Sequence, residues 1–569
     1  VTGWRILCGG LVAVAVSATA GAGLGVLGGR LTPLAADLSL VLGLAAGLVA
    51  GRAASAPRQP VTVATAILFA VLALAALRAF LWVIYPSGVN VLVLSPHNLG
   101  DMALHLNLIH RWVRGGEFWP DNPFLAGAAF AYHPGMDLWN VLLALAGVPV
   151  VEGLRWAGLL GAAAAGAALW RWGGSFALAA FLFAGGLAGL VLLQGGSLDP
   201  LETGTAWKNL FLSMFVTQRG LLYALPAGLV LLTVWRAQLR GETDGPSLPP
   251  LAQMALYAAM PLFNAPAFLF LSFALAACAL AAWPSGRAKP FLVTGVVSLI
   301  PASWLVHLVT VGFTAGSAVR FAPGWMQGDG GIVFWLWNFG LFLPLVAWLG
   351  FALFRGGRED LAACTFYLVG VVTLCFSFLF LIAPWEWDNT KLIIWGYLAL
   401  VPLLWSHLIA AWPAWARAAC VAILFFSGCL ALWVGLDSRH GYTLAERAEW
   451  AAAEGMTRRL GPDARVATAP GWDHPLMLLG QPVAIGYEGH LFSQGLDYGP
   501  ARRQLDRLMS GGDGWKDAAR DLGVRYLFWG RREQALWPAS QRGWESVAPR
   551  VARSPQGDLY HLTPALLQD

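Results

Sequence analysis

The sequence predicts a polytopic α-helical membrane body of about thirteen spans followed by a water-soluble α/β domain, and three observations carry that prediction. Of the 569 residues, 58% are hydrophobic and 12% are charged, about half the charged share of a soluble globular protein. The shortfall is confined to one part of the chain. Residues 1–436 hold 20 Lys/Arg and 15 Asp/Glu, whereas the last 133 residues hold 16 of each. The third observation is a series of apolar runs long enough to cross about 30 Å of hydrocarbon as helices.

Those runs occupy 6–28, 32–51, 61–84, 154–170, 175–194, 219–235, 251–265, 266–284, 290–312, 332–354, 361–383, 392–411 and 418–436. The stretch 251–284 is one long run, split at Pro261 and Pro266 into two spans. Arg5 before the first run imitates a signal peptide, but that run is too long for an h-region, so it reads as a retained helix. Orientation follows from the cations. Arg52 and Arg58, Arg171, Arg236 and Arg240, Arg287 and Lys289, Arg355 and Arg358, and Arg417 fall at alternate ends. Those ends are assigned to the cytoplasm, which puts the N-terminus inside and the tail outside. The assignment closes only if Asp137–Ala146 does not span. That segment is too short to cross and reads as a juxtamembrane helix in the interface. The membrane body is thus 1–436, with a first outer loop at 85–153 and further outer pieces at 195–218, 313–331 and 384–391. Residues 437–569 form the outer domain.

Within the tail, ARVATA (464–469) and VRYLFWG (524–530) read as strands. GPARRQLDRLMSGG and WKDAARDLG read as helices, the second stopped by Gly523. WESVAPRVARS and GDLYHL complete the sheet. The tail contains no GxGxxG and no P-loop. The net charge of +5 arises wholly in the membrane body, where basic cytoplasmic loops account for it and a nucleic-acid surface does not. All six cysteines lie in apolar segments and read as small buried hydrophobes. Arg outnumbers Lys 32 to 4, which points to a GC-rich bacterial gene and an inner-membrane location.

Chemistry concentrates in the first outer loop. Four of the ten histidines fall between His97 and His133, with Asp101, Glu117 and Asp121 among them. Ser95-Pro96 reads as a helix start and Gly115-Gly116 as its stop, placing His97, Asp101 and His105 on one face. Three readings stay open on spacing alone. Asp101 serves as a general base for a hydroxyl acceptor, the His-x3-Asp-x3-His set binds a divalent metal, or the loop is simply polar because it lies at the headgroups.

In order, this loop carries Asp101 just after a span, His105 one turn on, Gly115-Gly116, and Tyr132-His133-Pro134-Gly135. A short apolar helix at 137–146 and a span opening with Arg155 follow. The arrangement resembles the first outer loop of the GT-C glycosyltransferases, polytopic membrane enzymes that take sugars from polyprenyl-phosphate or polyprenyl-pyrophosphate donors. The likeness is strong over about 70 residues and extends to the membrane body only as topology. It implies a GT-C-like body and sugar transfer on the periplasmic face. It further implies Asp101 and His105 as catalytic residues and His133 as a donor- or acceptor-binding one. Family members often carry two adjacent acids, and Met102 occupies the second position here, which points to an enzyme without a metal or other cofactor, a divalent metal being the alternative.

Other polar residues join the candidate site. Glu386, Asp388 and Lys391 stand where a span begins; they form a sugar-and-phosphate site or, with Trp385 and Trp387, interfacial anchors. Lys208, Arg219 and Arg320 lie on outer segments against the positive-inside bias. They pair with a lipid phosphate or snorkel toward headgroups. Asn264 and residues 335–338 are candidate cavity-lining positions. The leading reading is an inverting glycosyltransferase moving a sugar from a polyprenyl-phosphate-linked donor to a periplasmic glycan, lipid or protein. The alternative is an inactive GT-C-like scaffold whose outer domain binds a partner protein or glycan. A transporter is a third class, against which stand the lack of repeated halves and of paired broken helices.

Overall fold

The computed structural model describes residues 2–94, 97, 99–119, 121–190, 209–310, 319–355, 360–436 and 441–568. The chain opens with three apolar helices, α1 (Thr2–Gly28), α2 (Pro33–Ala53) and α3 (Val63–Leu81). Thr32 and Thr62 start the second and third by accepting hydrogen bonds from the Ala35 and Thr65 amides, the ordinary N-cap device. α1 and α2 pack backbone against backbone, because a Cβ at Gly47 would collide with the Gly9 carbonyl; small residues permit this approach between membrane helices. A hairpin of β1 (Ile84–Ser87) and β2 (Asn90–Leu94) follows, then α4 (Leu99–Val113) and α5 (Gly135–Leu145).

The rest of the body comprises α6 (Val150–Phe183), a π-helical turn at Phe211–Val216, α7 (Leu221–Arg240), α8 (Pro250–Ala258), α9 (Met260–Phe263), α10 (Ala265–Ala282) and α11 (Lys289–Val309). Then come β3 (Arg320–Phe321), α12 (Gly331–Phe339), α13 (Phe342–Arg355), α14 (Leu361–Leu379), β4 (Phe380–Leu381), α15 (Thr390–His407) and α16 (Ala414–Gly435). Among the described residues, nine helices are long and apolar enough to cross a membrane, or ten if α12 and α13, which meet at 83°, form one broken span. The chain is a multi-pass helical membrane protein.

The expected thirteen exceeds this number for identifiable reasons. The run at 154–170 lies in the first part of α6 and the run at 175–194 begins in its second part; non-helical Gly173 and Gly174 divide α6 into two helices, neither of which is among the nine. The run at 251–265 is the short α8–α9 pair, ended by Asn264, which caps α10 by accepting from the Ala267 amide. Four cysteines are buried as expected, but Cys375 and Cys429 face outward from α14 and α16.

Several segments that carry the cations assigned to the cytoplasm contact one another. Arg171 donates to the Pro57 carbonyl and Gln59 to that of Trp170. Ser55 pairs with Ser247 through backbone and side chain. Arg240 reaches Asp360 at 2.7 Å, and His407 lies 3.5 Å from the same carboxylate. Segments assigned to the cytoplasm therefore meet at one end of the bundle.

At the other end the tail begins as β5 (Gly441–Glu446), which adds to β2 antiparallel. Helix α17 (Arg447–Thr457), β6 (Val466–Ala467), α18 (Pro475–Leu478), α19 (Glu488–Ser493), α20 (Gly499–Ser510), α21 (Trp515–Asp521), β7 (Tyr526–Gly530), α22 (Arg531–Leu536), β8 (Arg550–Ser554) and β9 (Gly557–His561) follow. The sheet runs β6-β7-β9-β8, parallel only at β6–β7. Each strand and helix named from the sequence is present. The tail also interlocks with the first loop. Backbone bonds tie Val483 to Pro123, Ala126 to Ala484 and Gly486 to Phe124. Arg114 donates to the carbonyls of Thr457, Leu460 and Leu479 and to Gln481 Oε1.

One expectation is corrected here. The 137–146 segment does not present an exposed apolar face. As α5 it packs inside the protein against α1, α2, α4 and α6, with Asp137, Leu138 and Val141 buried. Its two-sided polarity serves a buried carboxylate, which hydropathy alone reads as an interfacial face.

Candidate functional site

Helix α4 presents its first turn to α19 of the tail. It ends before Gly115, whose backbone is left-handed (φ +78°), while Gly116 and Gly115 bond back to the carbonyls of Arg111 and Trp112. This is the expected Gly-Gly stop. Ser95 and Pro96, the expected start, lie outside the described residues. Asp101 Oδ1 stands 3.2 Å from His490 Nε2 on α19, and Oδ2 accepts from Gln218 Nε2 at 3.4 Å. Burial pushes the Asp101 carboxyl up. The hydrogen bond and charge of His490, with His105 and Lys391 further off, outweigh it and hold the group below its ordinary value.

One turn along α4, His105 turns to a different carboxylate. Its Nδ1 lies 2.8 Å from Asp137 Oδ2. Asp137 Oδ1 lies 3.8 Å from Arg219 Nε, and both side chains are 2% exposed. The π-helical turn at Phe211–Val216 delivers Gln218 and Arg219 to this point just before α7. Gly220 next to them has no room for a Cβ, since the Phe263 carbonyl occupies the space. Arg219 is thus held beside Asp137. Its Nε, Nη1 and Nη2 are buried and lack hydrogen-bond partners among the described residues.

Tyr132 and His133 line the same ground. The Tyr132 and His105 rings are 6.3 Å apart. Burial, then the charges of Asp137, Asp101 and Asp388, push the Tyr132 hydroxyl well above its ordinary value, and Arg219 opposes them. Burial, then the charge of Lys391, lowers His133 to about 4 against a smaller opposite effect of Asp388. It is therefore neutral at pH 7, with Nε2 buried and without a hydrogen-bond partner among the described residues. Lys391 itself pairs with Asp388 at 2.9 Å. The turn carrying that pair is clamped by Asn389, whose side chain bonds the Ala383 amide and the Glu386 carbonyl.

The structure therefore gathers Asp101, His105, His133, Arg219, Asp388 and Lys391, six of the residues singled out in the sequence. Arg320 and Glu386 pair with each other instead, 3.5 Å apart and 66% and 52% exposed, and do not join the buried group. Lys208 lies outside the described residues. Asn264 is engaged as a helix cap, and Trp335 donates to Gln327. The metal trio does not assemble: His97 precedes α4 and bonds the Ala79 carbonyl through Nε2, while His105 faces Asp137. No group of three or more His, Cys, Asp or Glu with metal-binding geometry occurs among the described residues. Met102 is in the core.

Three members of the site were not singled out from the sequence: Asp137, Gln218 and His490. Asp137 carried a usable signal, an acid opening a short apolar helix. His490 is 389 residues from Asp101, and no local pattern marks it.

No family model matches the sequence, and no curated protein matches it. Among solved structures, similarity extends to an Archaeoglobus fulgidus oligosaccharyltransferase tethered through a disulfide to an acceptor peptide containing an NVT sequon. That alignment has 10% identity and a TM-score of 0.45, covering 85% of this chain and 72% of that one. The apo form of the same enzyme aligns at 13% identity and a TM-score of 0.40, over 84% and 72% of the respective chains. Likeness of this degree says nothing about chemistry, which rests on the side chains above.

Proposed function

We propose that this protein is a membrane glycosyltransferase of GT-C type that moves a sugar from a polyprenyl-phosphate-linked donor to an acceptor hydroxyl on the periplasmic face. The observation that carries the reading is the Arg219 guanidinium, buried beside Asp137 with three nitrogens that lack hydrogen-bond partners among the described residues. A buried cation is retained only with compensating charge and hydrogen bonds. Asp137 supplies the charge at 3.8 Å but no hydrogen bond to the fork. The fork is thereby left for an oxyanion, which a guanidinium binds with two parallel donors. A phosphate on a lipid carrier presents that oxyanion at the mouth of a membrane protein.

In this reading the acceptor oxygen attacks the anomeric carbon with inversion while the bond from that carbon to the phosphate oxygen breaks. The acceptor proton passes to Asp101, and the leaving phosphate keeps the electron pair, stabilised by Arg219. His105 holds Asp137 in place, and neutral His133 offers Nε2 to the sugar. Lys391 with Asp388 edges the donor site, and no resident cofactor is called on. The tail is periplasmic and the N-terminus cytoplasmic, in a bacterial inner membrane.

A second reading, a catalytically silent scaffold, is favoured by Met102, which fills the core where the family often has a second acid. One variant separates the two. Asp101→Asn keeps size and hydrogen bonding, so lipid recovered with the purified protein and identified by mass spectrometry should be unchanged. Transfer should fall at least about a hundredfold, the lower range for loss of a general base. Full activity or full biological competence of Asp101→Asn would sink the catalytic assignment and leave the scaffold.

A further inference from the structure

We propose that His490, carried by α19 of the tail, is a positioning residue for Asp101, so that the site is built jointly by the membrane body and the outer domain. This rests on the reading of Asp101 given above. His490 Nε2 meets Oδ1 at 3.2 Å, while among the described residues Oδ2 has only the long 3.4 Å contact to Gln218. The two oxygens are thereby differentiated. Oδ1 is fixed by the tail, and Oδ2 is the edge that takes a proton. The side chains are 26% and 14% exposed for Asp101 and His490, so the pair is shielded but within reach of an acceptor.

Helix α19 is braced from both sides. Glu488 receives Arg502 at 2.8 Å, and Asp506, which also binds Arg502, accepts from Trp537 Nε1 at 3.0 Å. Toward the body, Phe492 meets Trp385 edge to face at 5.9 Å. Tyr487 packs edge-on against the His490 ring at 5.1 Å. A six-residue helix tied to the tail core and to the 382–389 turn thus holds one imidazole over one carboxylate. The groups facing Asp101 are His490 from α19, Gln218 before α7, His105 on α4, Lys391 on α15 and Tyr132 before α5. Of the two that hydrogen-bond it, only His490 can carry charge.

The test reads the carboxylate directly. Full-length protein labelled with carboxyl-¹³C aspartate is placed in lipid nanodiscs and titrated by infrared difference spectroscopy, with Asp101 assigned by the band lost in Asp101→Asn. In the parent protein that band should titrate below the ordinary aspartate value. In His490→Ala burial is no longer offset by its main partner, so the titration should move up, and His490→Gln, which keeps a donor without the charge, should fall between. With a polyprenyl-phosphate-linked hexose as donor, His490→Ala should lower kcat roughly tenfold with KM little changed, since a positioning group contributes less than the base itself. An Asp101 titration unmoved in both variants overturns the proposal. If the titration moves while Asp101→Asn keeps full activity, the pair stands and the transferase reading fails, so the two failures are distinguishable.

Discussion

Replacing Arg219 tests the buried pair and the anion site together. At 3.8 Å from Asp137, the attraction is worth about 4 kcal/mol at the effective dielectric that reproduces measured pairs. Breaking a buried pair from one side typically costs about 3–5 kcal/mol, because the other charge stays buried. Arg219→Met should therefore destabilise by about that amount, leaving Asp137 with His105 alone and Oδ1 unbonded. Adding Asp137→Asn removes the stranded charge while Asn still accepts from His105, so the double variant should recover most of the loss. The double variant should then be more stable than either single variant, a strong non-additivity in a double-mutant cycle, read from denaturant unfolding in bicelles. A polyprenyl phosphate at a hundred times its Kd should stabilise the parent by about 2.7 kcal/mol and the double variant not at all. Additive single effects would mean that the pair contributes nothing. Undiminished stabilisation of the double variant by the lipid would remove Arg219 from the phosphate site.

Two further predictions address how the parts are arranged. Reporter fusions after Arg240 and Arg417 should read cytoplasmic and an insertion at Gln541 periplasmic; a cytoplasmic tail would reverse the sidedness assigned from the cations. Arg114→Ala deletes a guanidinium shared by Thr457, Leu460, Leu479 and Gln481, stranding several acceptors at about 1–3 kcal/mol each where they are buried. The 441–568 segment should become markedly more protease-sensitive while the membrane helices stay protected, and unchanged resistance would show that the tail does not depend on this contact.

The sequence was most legible where the governing interactions are local. Tail strands and helices were readable because alternation, caps and turn glycines act within a few residues: α21 closes at Gly523 (φ +60°), as its sequence indicates. Asp101 was legible from its place after a span, and Arg219 from a charge on the side where cations are scarce. His490 was not, because a contact across 389 residues leaves no period behind. The i, i+4, i+8 face failed at His97 since α4 starts two residues later, so the imidazole follows the hairpin to Ala79. Asp137 misled because one acid on a short apolar helix looks the same whether it faces headgroups or a buried arginine. Span count suffered similarly: hydropathy registers apolar content, whereas α8–α9 are short helices packed within the bundle.

The Arg219–Asp137 pair also bears on whether the site is a relic. Well-packed apolar side chains of similar volume often hold helices as firmly as a buried ion pair, or more so. The pair therefore adds little to the fold that a Met–Leu contact would not supply. Its distinctive property is the set of guanidinium donors left without partners among the described residues. They sit within one residue of Gln218, which touches the same carboxylate that His490 reaches from the tail. A scaffold that only needed to place its outer domain could do so through Arg114 and the 123–126 backbone contacts, and would gain nothing from such donors beside Asp137. The arrangement is accounted for when those donors have an anion to meet.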